Sequence, residues 1–185
     1  MRADALRRRH ALVRTARRLV AEHGADVALE LVAEQAGVGV ATLYRNFPSR
    51  AALLDEVLVA ILDDVRRVVG DASAGFAEDP TGAWDRCVRD LADLDLGAVA
   101  EALSEHAEEL APAVRAAQDD ALVRVEALLA DARGAGLVRQ DLSALELVVA
   151  VGMVSRPQPE AVRRAAPDLR ERLLAILLAG LRAQR

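Results

Sequence analysis

Apolar residues recur three and four positions apart along almost the whole chain, and no segment alternates them with polar ones at the two-residue period of a half-buried strand. That pattern argues against a β architecture and predicts an all-α fold. Residues 3–23 set it: Leu6, Val13, Ala16 and Val20 fall at helical spacing, and Leu12 and Leu19 widen the stripe. Six arginines, Arg7, Arg8, Arg9, Arg14, Arg17 and Arg18, occupy much of the remaining surface. Hydrophobic residues are 53% of the 185 and aromatics only 2%, so the core has to be built mainly of Leu, Val and Ala. Leu, Ala, Glu and Arg all favour helix, and the chain is long enough for one or two small domains.

Gly and Pro divide this pattern into segments. Gly24 is placed to stop the first helix, and Asp26 to cap a second over about 27–35 carrying Leu29, Val32 and Ala33. Ala36 to Gly39 reads as a tight turn, in which Gly37 tolerates positive φ. A short third helix spans about 40–46. Pro48 ends it, and Ser49 caps a long fourth helix over about 49–69. The stretch from Gly70 to Gly82, rich in Gly, Asp and Ser, reads as a loop. Further helices are expected over 82–94, 97–109, 112–133, 143–154, 158–165 and 168–183, about nine or ten in all. The organisation expected is a head, residues 1–50, and a larger helical body, residues 51–185.

Several functional classes are disfavoured. No apolar run reaches the length of a membrane span; Leu173 to Leu181 is the strongest candidate and is too short. No signal-peptide pattern follows the basic N-terminus, so a cytoplasmic location and no membrane partner are expected. Cys87 is the only cysteine and reads as a small buried hydrophobe. His10, His23 and His106 are far apart, so no metal site is expected. There is no phosphate-binding loop or dinucleotide fingerprint, so no cofactor is expected. Ser104 and His106 stand two apart and point to different helix faces, which removes a triad with Asp93. The chain is not read as an enzyme.

Charge is more telling. Residues 1–50 hold nine Arg against five acidic residues, a net of +4, whereas the whole chain is −5. All 24 basic residues are arginine, a bias that genome composition explains without a functional cause. A basic head on an acidic body suggests that the head meets a polyanion.

Within that head the stretch GVGVATLYRNFPSR, Gly37 to Arg50, crowds Thr42, Tyr44, Arg45 and Asn46 onto two helical turns. Two short helices joined by a Gly-containing turn make a helix-turn-helix, whose second helix presents side chains to the major groove of double-stranded DNA. Arg pairs bidentately with guanine and Asn with adenine. Leu43 and Phe47 lie four apart and would pin this helix to the first two. A solvated polar face with no ligand fits the same spacing, as in a helical protein-interaction module that never touches DNA.

The segment LVAEQAGVGVATLYRNFPSRAALL, Leu31 to Leu54, resembles the DNA-binding domain of the TetR family of bacterial transcriptional regulators. The similarity rests on Val32-Ala33, Ala36-Gly37-Val38, Thr42-Leu43-Tyr44, Phe47 and Arg50, and extends from about Arg9 to Leu54. It implies a dimeric regulator, a repressor in the usual case, that binds a pseudo-palindromic operator and is released by a small molecule. It also implies phosphate contacts from Tyr44 and Arg50, and a base-reading surface around Val40, Ala41, Thr42, Arg45 and Asn46. Two positions depart from the family pattern. Ala28 and Gly39 stand where capping hydroxyls are common, and Asp26 is the candidate replacement cap for the second helix.

The body supplies candidates for the other two tasks. Leu145, Leu147, Val148, Val149, Val151 and Met153 surround residues 143–154 with apolar surface, as a helix buried on both sides requires. Residues 168–183 carry one stripe through Leu169, Leu173, Leu177 and Leu181, and others formed by Leu174 and Leu178 with Ile176. A homodimer through these two segments is expected, which the resemblance also implies. For a small-molecule effector, Trp84, Leu91, Leu103, His106, Leu122 and Val125 are candidate lining residues, although core packing accounts for each more simply.

Overall fold

A computed structural model describes residues 2–24, 26–94, 96–97 and 110–183, with side chains from Leu6 onward. Among the described residues there are nine helices and no strand. In chain order they are α1 Arg2–His23, α2 Leu29–Gln35, α3 Val40–Asn46, α4 Arg50–Gly75, α5 Pro80–Ala92, α6 Pro112–Gly134, α7 Ala144–Ser155, α8 Glu160–Ala165 and α9 Leu169–Leu181. The helix expected over 97–109 lies outside the described residues, apart from Gly97.

The core is one contiguous cluster running from Leu12 to Leu181, built chiefly of Leu, Val and Ala around Phe47 and Trp84. No buried polar or charged residue interrupts it among the described residues. Helix α4 is its axis, packed most extensively on α6, then on α5 and α1. Helices α7 and α9 pack on each other, and α7 also meets α5 and α6. Cys87 is buried, and its thiol is pushed up to about 12, first by burial and then by the charge on Asp90. It therefore behaves as a small apolar side chain. Leu6, expected on the buried stripe of α1, is 56% exposed.

The structure corrects the expected loop over 70–82. Helix α4 continues through Gly70 to Gly75, because Val68, Val69 and Ala72 are all buried there. Their burial outweighs the cost of about 1 kcal/mol for a helical glycine. Helix α5 then starts at Pro80, with the Asp79 carboxylate accepting from the Gly82 N–H at 2.9 Å. Proline at the first helical position gives up only an N–H that would be unpaired anyway. Asp26 does not cap α2, which begins at Leu29 behind Ala28 with no side-chain cap. Helix α8 starts two residues later than expected, behind Pro159.

Two arginines from different helices grip the chain here, Arg170 at the end of α5 and Arg17 at the turn that follows it. Arg17 of α1 donates to Asp64 of α4 at 2.5 Å and to the Leu94 carbonyl at 3.4 Å. Arg170 of α9 donates to the Ala92 carbonyl at 2.7 Å and to Asp93 at 2.5 Å. The last carbonyls of a helix have no partner within it, and cations there also favour the negative end of its dipole.

Candidate nucleic-acid interface

The turn between α2 and α3 is built by backbone. Gly37 adopts φ +68, where a Cβ is disfavoured. Its N–H donates to the Glu34 carbonyl and that of Val38 to the Ala33 carbonyl, each at 3.0 Å, which closes α2 and redirects the chain. Gly39 opens α3 in extended conformation without a side-chain cap. Phe47 closes it through an N–H to the Leu43 carbonyl at 2.8 Å. Ser49 then caps α4 by accepting from the Ala52 N–H at 3.1 Å.

Helix α3 is fixed on one side and open on the other. Leu43 and Phe47 are 0% and 1% exposed. Val40, Ala41, Tyr44 and Arg45 are exposed, and Thr42, Asn46 and Arg50 are half-buried. The residues expected to meet DNA therefore come together on and beside the outward side of one short helix. Arg45 donates to the Thr42 hydroxyl at 2.9 Å, which orients its guanidinium along the helix and leaves other N–H groups for an acceptor. The Asn46 amide nitrogen donates to the Thr42 carbonyl at 2.7 Å, leaving one N–H and its carbonyl oxygen for an outside partner.

Sequence reasoning missed the role of Arg9. Its Nη1 donates to the Asn46 carbonyl at 2.9 Å, and its Nε and Nη2 form a fork on Glu56 at 3.2 and 2.8 Å. Its guanidinium lies 4.4 Å from the Phe47 ring centroid. One side chain thus ties α1 to the end of α3 and the start of α4. These partners are 37 to 47 residues away, beyond the reach of any spacing argument. Beside α3 an open cleft of about 460 Å³ is lined by Arg8, Gly37, Val38, Gly39, Thr42, Arg45 and Asn46.

In the body Trp84 lines a second hollow of about 400 Å³ with Thr81, Asp85, Gly136, Leu137, Arg182 and Ala183. Leu91 and Val125 are buried in the core, and Leu122 is half-buried against it. Leu103 and His106 lie outside the described residues. Among the described residues no group of His, Cys, Asp and Glu side chains is arranged to hold a metal ion. No described helix is long and apolar enough to cross a membrane.

Comparison with known proteins agrees with this geometry. Residues 12–57 match the family model described as bacterial regulatory proteins, tetR family. Residues 79–183 match the C-terminal domain described as transcriptional regulator SbtR-like. A TetR transcriptional regulator from Streptomyces coelicolor is 31% identical with TM-score 0.60, over 96% of this chain and 99% of that one. A TetR regulatory protein from Mycobacterium vanbaalenii is 31% identical with TM-score 0.57, over 98% and 99%. The ketosteroid transcriptional regulator of Mycobacterium tuberculosis shares the fold at 21% identity and TM-score 0.60, over 96% of each chain. No protein of curated function matches the chain.

Proposed function

The chain belongs to the TetR family of bacterial regulatory proteins, DNA-binding transcription factors rather than enzymes, and on that premise we propose that it is a dimeric repressor released from a pseudo-palindromic operator by a small molecule. The observation that carries the DNA-binding part is the asymmetry of α3. Leu43 and Phe47 are sunk in the head while Val40, Ala41, Thr42, Tyr44, Arg45 and Asn46 stand on or beside its open side. Arg45 and Asn46 read base edges; Tyr44 and Arg50 hold phosphates, which sets register without carrying sequence. Residues 1–50 act as the DNA-binding head and 51–185 as the regulatory body, working in the cytoplasm where the DNA is.

The dimer reading rests on large apolar side chains left in the open. Leu145, Val149 and Met153 follow one another at four-residue spacing on α7 and are 58%, 41% and 69% exposed. Ile176 of α9, which packs on α7, is 67% exposed. A second copy of the same two helices would cover them, and the two-fold axis would bring two α3 helices to half-sites one duplex turn apart.

The effector reading assigns a lipophilic ligand to the helices of residues 82–133. Trp84, Leu91, Leu122 and Val125 are its candidate contacts in the described part of the body, and Leu103 and His106 are candidates from the sequence alone. Helix α4 joins the two functions, since it begins at Arg50 beside α3 and runs unbroken against α5 and α6. Ligand and DNA favour different dimer geometries, so each weakens the other by the same factor, about 5–150-fold in typical systems.

The test is binding to a randomised duplex library over a salt series, followed by a thermal-shift screen of lipophilic compounds repeated with the selected operator. Salt-dependent selection of a two-fold sequence, and a ligand whose affinity falls when operator is present, are the expected results. Absence of salt-dependent duplex binding would instead make the chain a helical interaction module. Equal ligand affinity with and without operator would remove the coupling alone.

A further inference from the structure

The three successive arginines of α1 are turned to different surroundings. Arg9 is folded inward onto Asn46, Glu56 and Phe47. Arg7 is exposed and engaged by an interaction of its own. Arg8 is exposed and lines the cleft beside α3, and no hydrogen bond or ion pair engages it among the described residues. The separation follows from helix geometry, which turns successive side chains by about 100°.

The cleft itself has an unusual lining for this chain. Acidic residues outnumber basic ones, 29 to 24, yet none lines it, and two arginines, Arg8 and Arg45, do. Gly37 and Gly39 leave its wall without side chains, so a ligand strand can approach the backbone closely. Thr42 and Asn46 add hydrogen-bonding groups on the α3 side. The cleft is thus open, positively charged and polar, which suits an anion that passes along the edge of the recognition surface.

We propose that Arg8 is a further DNA-contacting residue, binding a phosphate of the strand that borders the groove entered by α3. This rests on the DNA-binding reading above. Arg8 sits on α1, outside the pair of helices that meets the groove, so its charge reaches the sugar-phosphate rim rather than a base edge. Each dimer carries two such contacts. Alanine at position 8 keeps the helix, because it is a better helix former than arginine.

The experiment measures affinity for a selected operator and for a duplex of unrelated sequence, with full-length protein, between about 50 and 200 mM salt. Arg8→Ala is compared with Arg14→Ala, which removes the same charge from an exposed site on α1 that does not line the cleft. Position 14 lies six residues on, about 9 Å along the axis and on another face. Arg8→Ala should weaken binding to both duplexes equally and reduce the salt slope by about 0.9 per protomer, about 1.8 per dimer. Arg14→Ala should leave the slope within experimental error. Unchanged affinity and slope for Arg8→Ala would overturn the assignment, as would an equal loss in Arg14→Ala. So would a change of base preference confined to one position of the site. If wild-type protein binds neither duplex, the DNA-binding reading itself fails, which is distinguishable from a wild type that binds and an Arg8→Ala that matches it.

Discussion

Replacing Arg9 by alanine tests whether the head is assembled as described, because one side chain there makes three different contacts. The bond from its guanidinium to the Asn46 carbonyl, at 2.9 Å, is charge-assisted and contributes about 1.5 kcal/mol. The forked pair with Glu56 is one-third exposed on the Arg side and 40% exposed on the Glu side, so solvent screening holds it to about 0.5–1 kcal/mol. The stack over Phe47 adds about 0.5–1 kcal/mol. The total near 3 kcal/mol is reduced by the side-chain entropy that Arg9 loses in this geometry and by the better helix propensity of alanine. A net loss of about 2 kcal/mol remains, which for a chain of this size lowers Tm by about 4–8 °C. Thermal denaturation at one fixed protomer concentration measures it, since the proposed dimerisation would make Tm concentration-dependent. Glu56→Gln removes only the ion pair and should cost less than half as much, with a difference that shrinks at high salt. DNA affinity should fall in Arg9→Ala, because the end of α3 loses its tie to α1. A Tm within about 1 °C of wild type would refute the reasoning, since the contacts would then be replaced by water at no net cost.

Four other outcomes are expected. Arg45→Ala should relax preference at one position of each half-site by about 1–3 kcal/mol, and an unchanged consensus in a randomised-site selection would exclude it from base reading. Met153→Arg should raise the dissociation constant of the proposed dimer by at least about tenfold, since each protomer would lose about 1–2 kcal/mol of apolar burial and bring a charge into the interface, as sedimentation would show. It is a cleaner probe than Leu177→Arg, because Leu177 also packs on its own core. Gly70→Ala should stabilise the protein by about 0.4–1 kcal/mol, because α4 is helical there and nothing lies within 4 Å of the added Cβ; a destabilised variant in thermal melts would contradict that account of α4. Asp141 is held near 2 by its bond with Arg139, below its ordinary 3.8, so its contribution is complete above that ordinary value and is lost as pH falls through the lowered one; acid titration of Asp141→Asn should therefore show a shallower decline than wild type in that window.

The recognition segment was legible because its signals are local. Gly37 and Pro48 bracket α3, and the four-residue spacing of Leu43 and Phe47 marks its buried side. The end of α4 was not legible, because the composition around Gly70 is that of a loop while burial of Val68, Val69 and Ala72 is a tertiary fact. The start of α5 carried a readable sign, Asp79 before Pro80, which the surrounding Gly and Ser obscured. Asp26 looked like a cap, but α2 begins three residues beyond it. The positions around α3 were read from the motif. Arg9, Arg17 and Arg170 were not, because each bonds to groups 37 to 78 residues away.

The ion pair between Arg17 and Asp64 also has a mechanical meaning. Helix α4 is a rod of about 39 Å, and Asp64 lies about 21 Å from its Arg50 end and about 16 Å from its Gly75 end. Were that contact a fulcrum, α4 would be a lever with its longer arm toward the head. Pivoting by about 5° moves the Gly75 end by about 1.4 Å and the Arg50 end by about 1.8 Å in the opposite sense. With one lever in each protomer of the proposed dimer, the gap between two recognition helices would change by up to about 4 Å, against a half-site spacing of about 34 Å. A displacement in the body no larger than a bond length would thereby be magnified where the helices of the proposed dimer meet the groove.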